Sequence, residues 1–344
     1  MLKKLSMFLG FILLVSLISC YYLINAHLKQ PLNLNSEQLL TIKKGTSLNS
    51  FSQTLVTKGW IDTNVWLKIV AKLNVNLSAI KVGTYLVEPG TSVIELLEQI
   101  VEGKEHQFSI TFIEGSTFKD WLQVLSLHPQ VSHHLNTDKF TDIPVKLELD
   151  FVHPEGLFFP DTYAFTFGTT DIEILQRAYH KMEKELNEQW QNRALDLPYD
   201  SVYQALIMAS IIEKESGYVA EQEIISSVFI NRLNKKMRLQ TDPTVIYGLG
   251  ERYQGDIKRS HLREKTAYNT YRINGLPPTP IAMPGTLAIK AALNPALTDY
   301  YYFVSDGKGQ HVFSTTLAEH NQAVAIYLKE MRTRLKNEKS NNEK

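Results

Sequence analysis

The chain opens with a pattern that does not recur along it. Residues 5–26 (LSMFLGFILLVSLISCYYLINA) hold no charged side chain, and as a helix rising about 1.5 Å per residue they reach roughly 33 Å, enough for one bilayer crossing. Lys3 and Lys4 precede the run, so the positive-inside tendency leaves residues 1–4 as a cytoplasmic stub and sends the bulk of the chain across an inner membrane to the periplasmic side. Tyr21 and Tyr22 near the outer end suit an interfacial aromatic belt. A cleaved signal peptide fits less well, because the small-x-small site is poor and the run exceeds a usual h-region. Leu17-Ile18-Ser19-Cys20 also has the pattern of a lipoprotein box with Cys20 as the lipidated residue, but the apolar run continues through Ile24, as an uncleaved anchor requires.

Further on, period-two and period-3.6 stretches alternate. A strand at 39–45 leads to helices at 48–57 and 64–73; a strand at 81–87 leads to a helix at 92–102 that closes before Gly103. Gly-Thr-Ser at 45–47 and 90–92, and Glu114-Gly115-Ser116-Thr117 after a strand at 108–113, each place an N-cap between a strand and an apolar helix. Both a duplicated strand-cap-helix unit and three independent good helix starts fit this spacing. Residues 125–170 are loop-rich and contain HPEGLFFPDTY at 153–163. Long helical runs follow at 171–195, 201–217 and about 221–235, then a hairpin at 300–305 and 311–314 around Asp306-Gly307-Lys308-Gly309. A closing helix at 317–335 leads into a polar tail, 336–344, expected to be disordered.

Composition narrows the classes. A length of 344 residues points to about two domains besides the N-terminal segment. With 36 basic against 36 acidic residues there is no net positive field to hold a polyanion, which argues against a dedicated nucleic-acid binder. The single cysteine, Cys20, excludes an internal disulfide and a Cys-based metal centre. His133, His134, His311 and His320 show no ligand spacing with a third donor, and Gly248 and Gly250 lack the third glycine of a dinucleotide loop. No cofactor is required by anything in the chain.

Candidate chemistry gathers at the end of one helix. Residues 202–217 (VYQALIMASIIEKESG) are apolar nearly all round until the last turn, so most of this helix is expected to be buried. Glu213 and Glu215 lie about 200° apart around it, so only one can face a given cleft. Glu215 shares a side with Met208, Ile211 and Ile212, and Glu213 with Leu206 and Ala209; both walls are apolar, and periodicity does not choose. A carboxyl against such a wall without a cation has a raised pKa, as a general acid working near neutrality needs. The plainer alternative is a pair of surface glutamates bridging to Lys214 or Arg232.

Ala209-Ser210-Ile211-Ile212-Glu213-Lys214-Glu215-Ser216, followed by Ser227-Val228-Phe229-Ile230-Asn231-Arg232-Leu233, resembles the catalytic region of the YceG-like (MltG) endolytic murein transglycosylases. So do residues 237–248 (MRLQTDPTVIYG), Ala267-Tyr268-Asn269-Thr270-Tyr271 and Gly275-Leu276-Pro277-Pro278. The resemblance reaches back through Glu155-Gly156 and Pro160-Asp161-Thr162-Tyr163 to Lys81-Val82-Gly83-Thr84-Tyr85, which is similar to the family's LysM-like subdomain, and covers about residues 35–335. It implies an α+β chain with a single N-terminal transmembrane helix (5–26) and a LysM-like α/β glycan-binding lobe (35–107). A connecting and groove region (108–200) then precedes a mainly α catalytic lobe with a β-rich flank (201–335).

By the same resemblance the essential glutamate is the second of the Glu-Lys-Glu triplet, Glu215, with Ser216 completing a Glu-Ser pair. The implied reaction is non-hydrolytic cleavage of the β-1,4 bond between N-acetylmuramic acid and N-acetylglucosamine, leaving a 1,6-anhydro end. One carboxyl can run it, first as acid on the glycosidic oxygen and then as base for the muramyl C6 hydroxyl. Glu155, Asp161 and Asp242 are candidates for an assisting acid, each also readable as a turn or cap residue. Tyr247, Tyr268 and Tyr271 suit stacking on sugar faces; Gln240, Thr241, Asn269 and Thr270 suit hydrogen bonds to N-acetyl and hydroxyl groups; all are also ordinary core residues. The implied partners are peptidoglycan strands and the synthases that extrude them, with the membrane held by the N-terminal helix. A non-catalytic wall-binding scaffold and a lysozyme-like muramidase are the competing readings.

Overall fold

A computed structural model describes residues 2–73, 79–135 and 140–342. The chain forms two compact units, one of residues 1–109 with 164–169 and one of 110–163 with 170–344.

The first unit begins with α1 (Leu2–Leu28), the one helix among the described residues long and apolar enough to cross a membrane. Its side chains from Leu5 to Leu23 are largely exposed. Ile24 and Leu28 are instead buried in the core of the unit, and the helix runs past the expected end at residue 26 because this last turn packs on the lobe. β1 (Gln38–Ile42) is followed by α2 (Leu48–Thr57), α3 (Val65–Leu73), β2 (Gly83–Val87) and α4 (Val93–Glu102). β1 and β2 pair antiparallel from Gln38↔Val87 to Ile42↔Gly83. Helix ends follow local chemistry: Ser47 caps α2, and Ser92 and Glu95 form a reciprocal capping box on α4, which Gly103 ends at φ 77°. α4 turns Val93, Leu96, Leu97 and Ile100 inward against Leu40, Phe51, Leu55 and Tyr85. Each such buried side chain contributes about 1.5–3 kcal/mol over its exposed state.

β3 (Phe108–Thr111) pairs with β4 (Thr162–Phe165) in a two-stranded sheet. The chain between them carries α5 (Phe118–Leu127), started by a Thr117–Asp120 capping box at the expected position, and α6 (Asp142–Lys146). The second unit continues through α7 (Asp171–Gln191), α8 (Val202–Glu215), α9 (Gln222–Asn234), α10 (Asp242–Leu249), α11 (Arg259–Arg263) and α12 (Thr286–Leu293). It ends with the hairpin β5 (Tyr302–Ser305) and β6 (His311–Ser314), then α13 (Leu317–Asn342). α8 is buried without a break from Ala205 to Ile212 and packs on α7, α9, α10 and α12, which is why its sequence is apolar all round.

Three features differ from the pattern-based expectation. α10 and α12 are helices in a stretch read as turns: eight residues each, and apolar with little periodicity, they give no clear amphipathic signal. The β-rich flank of the second lobe amounts to the single β5–β6 hairpin. The closing helix continues beyond residue 335 to Asn342, through Lys, Glu and Asn with no Gly or Pro to stop it; residues 343–344 of the expected tail, and Met1 of the stub, lie outside the described residues.

Candidate active site

α8 delivers Glu215 as its last residue, half-buried where the apolar helix meets the surface. Its Oε1 accepts a hydrogen bond from the Thr241 hydroxyl. Thr241 is fixed in turn: its N–H donates to Thr270 Oγ1 at 3.0 Å, and the hydroxyls of Thr270 and Thr244 lie 2.9 Å apart. Burial pushes the Glu215 carboxyl up to about 7; the Thr241 bond opposes this, the Asp242 charge adds to it, and His311 and Arg232 pull it down.

Glu215 opens into a cleft of about 580 Å³ within the second unit. One wall is the segment after α9. Gln240 holds a left-handed backbone (φ 54°) and an exposed side chain facing the cleft, and a non-glycine residue held so costs on the order of 1 kcal/mol. Asp242 accepts a hydrogen bond from the Tyr271 hydroxyl at 2.7 Å, and both line the cleft. The opposite wall is the β5–β6 hairpin with the first turns of α13. Arg232 stitches the walls together, its Nε donating to Tyr301 O and its Nη1 to Leu239 O, both at 2.6 Å, while the guanidinium lies 5.2 Å from the Tyr302 ring centre.

The hairpin also brings in a pair that pattern reasoning missed. His311, at the start of β6, donates its backbone N–H to Glu221 Oε1 at 3.0 Å, and its ring Nδ1 lies 2.8 Å from Glu221 Oε2. Both are largely buried, with side-chain exposures of 15% and 10%. Glu221 sits in the 3-10 turn between α8 and α9, ninety positions away in sequence, so no local spacing reveals the pair. Tyr302 and His320 complete the hairpin side, their rings stacked 5.2 Å apart.

The other expected site residues lie elsewhere. Glu213 does not line the cleft: its Oε2 accepts the Gly285 N–H at 3.0 Å, at the start of α12. Lys214 donates to Gly115 O at 3.0 Å and Arg232 to the carbonyls above, in place of glutamate bridges. Glu155 is buried in the core, accepting from the Phe118 N–H at 2.9 Å as a cap on α5 and from the Tyr247 hydroxyl at 3.0 Å; burial pushes it up to about 7. Tyr247 packs on Tyr268 at 4.9 Å, and the Tyr268 hydroxyl lies 2.8 Å from Thr279 Oγ1. Asn269 donates to Glu264 O and His261 O, Ser216 accepts from the Tyr218 N–H, and Asp161 pairs with Lys181. Of the residues expected at the site, Glu215, Gln240, Asp242 and Tyr271 share the cleft with Thr241 and Thr270 behind them, while Glu155, Ser216, Tyr247, Tyr268 and Asn269 are not among the residues that line it.

A model of the YceG-like family matches residues 40–326. The chain is 31% identical over 326 residues to the endolytic murein transglycosylase of Bacillus subtilis (strain 168), spanning 89% of this chain and 90% of that protein. It is 25% identical over 334 residues to the endolytic murein transglycosylase of Streptococcus pneumoniae serotype 2, spanning 87% of this chain and 60% of that longer protein. Among solved structures, a yceG-like protein from Listeria monocytogenes superposes with a TM-score of 0.52 at 30% identity, over 84% of this chain and 99% of that one.

Proposed function

The chain belongs to the YceG-like family, and from that premise we propose that it is an endolytic peptidoglycan lytic transglycosylase with Glu215 as its acid. The carrying observation is the Glu215 carboxyl: half-buried, raised to about 7, and open to a cleft lined by Gln240, Asp242, Tyr271 and Tyr302. At neutral pH a large fraction carries the proton that a departing sugar needs. Protonated Glu215 gives that proton to the glycosidic oxygen between N-acetylmuramic acid and N-acetylglucosamine. The muramyl C6 hydroxyl closes on C1 as it loses its own proton, leaving a 1,6-anhydro end without consuming water. This route asks for one proton-transferring carboxyl, unlike hydrolysis, whose paired carboxylates are set at about 5–5.5 Å or 6.5–9.5 Å. Gln240, Asp242 and Tyr271 are the groups offered to the glycan; Thr241 holds the acid.

In this reading α1 is a single-pass anchor, with Lys3 and Lys4 on the cytoplasmic side and the catalytic unit outside the cytoplasmic membrane, in the periplasm of a two-membrane cell. The first unit's small core of two strands bracketing two helices supports a LysM-like, glycan-binding role for residues 35–107. An active unit anchored there meets nascent strands as synthases release them and can end their elongation. Digestion of purified peptidoglycan in H₂¹⁸O by the full-length protein in detergent tests the chemistry. Products with anhydro-muramyl ends and no ¹⁸O are expected; one ¹⁸O at a reducing muramyl end means hydrolysis, and strand binding without cleavage means a scaffold.

A further inference from the structure

We propose that His311, held by Glu221, is a second catalytic residue, the base that takes the proton from the muramyl C6 hydroxyl while Glu215 serves the glycosidic oxygen. This rests on the transglycosylase reading above and divides between two groups the work that one carboxyl can do alone.

Glu221 spends both oxygens on one residue, one on the His311 backbone N–H and one on ring Nδ1. A carboxylate at Nδ1 selects the Nδ1–H form of the neutral ring, which leaves Nε2 a bare acceptor on the opposite edge. Phe303 meets the ring edge-to-face at 5.3 Å, fixing its plane. Before it, the hairpin turn is tied by Asp306 Oδ1, which accepts the N–H groups of Lys308 at 2.7 Å and Gln310 at 3.0 Å. The residue therefore has a locked orientation and lines the same cleft as Glu215.

Stability does not account for such a pair, since a buried carboxylate–imidazole contact gains little over an apolar one. Catalysis does. Thr241 occupies one oxygen of Glu215, leaving Oε2 for chemistry. Once that oxygen has given its proton it is hydrogen-bonded to the departing 4-hydroxyl, and a separate acceptor lets the ring close before the strand leaves. The step balances as follows: the Glu215 proton moves to the bridging oxygen as the C1–O bond breaks; C6–O bonds to C1 as the C6 proton passes to His311 Nε2. The imidazolium then returns a proton to the Glu215 carboxylate, and both groups are reset.

An activated leaving group separates the two roles. A GlcNAc-MurNAc dinitrophenyl glycoside needs no acid at its leaving oxygen, so E215Q should recover turnover on it relative to natural strands. H311Q should remain about 10²–10⁴-fold slow on both substrates, the usual worth of a positioned base, with KM little changed. Fast turnover of the aryl glycoside by H311Q, together with an inert E215Q, would overturn the proposal and return both steps to Glu215. Should H311Q unfold early, E221Q carries the test: it keeps an acceptor in place but loses the charge, and kcat falling at constant KM supports the dyad, whereas wild-type kcat contradicts it. Reducing rather than anhydro ends from the wild-type protein would instead mark failure of the transglycosylase reading itself.

Discussion

At the scale of single residues, the site turns on how one carboxyl is kept partly protonated. Glu215 must carry its proton to act, so kcat should fall as the pH rises above about 7. Thr241 opposes the raised value, so T241V should move this alkaline limb to higher pH, read from a pH–kcat profile; an unmoved limb would mean that another group sets it. Gln240 gives a second test, since its left-handed backbone favours glycine while its side chain faces the cleft. Q240G should be as stable as wild type or about 1 kcal/mol more so by chemical denaturation, yet bind glycan strands more weakly. Residue types alone left the Glu-Lys-Glu triplet readable as an acid or as a surface pair and did not choose between its glutamates, because apolar walls flank both; the choice of Glu215 came from the family resemblance. Glu213 reaches the Gly285 N–H, seventy-two positions on, a contact that only the folded chain displays.

At the scale of elements, one of the expected site residues also positions a helix. Glu155 caps α5 from the core, and its folded-state value of about 7 lies above that of an unfolded glutamate. Its stabilising effect is therefore complete below about pH 4.5 and lost as pH rises to about 7, a change on the order of 3 kcal/mol. E155Q should flatten that part of the denaturation midpoint's pH dependence; an unchanged slope would assign it to other groups. Gly156 beside it has φ 80°, and a Cβ there would collide with the Pro280 ring. G156A should cost about 3 kcal/mol or more in the same assay. Helix starts at Ser47, Ser92 and Thr117 were readable because a cap is a local event. α10 and α12 were not, since their burial comes from neighbours distant in sequence, and the same holds for the Glu221–His311 pair.

At the scale of the whole molecule, pattern read a membrane-type helix at 5–26 and a lobe that starts only at 35. Ile24 and Leu28 belong to the core of the first unit, so that unit begins within α1. A chain starting at residue 30 should unfold about 3 kcal/mol more easily than one starting at residue 22 if the first unit is followed alone, for instance by Trp60 and Trp66 fluorescence; equal midpoints would show that the helix end is only a tether. The central claim is that Glu215, and not Glu213, supplies the proton for cutting the glycan. Its most direct test counts anhydro-muramyl ends by mass spectrometry after peptidoglycan is digested with full-length wild type, E213Q and E215Q. Ends from wild type and E213Q, with at least a hundredfold fewer from E215Q, are the expected result; abundant ends from E215Q would contradict it.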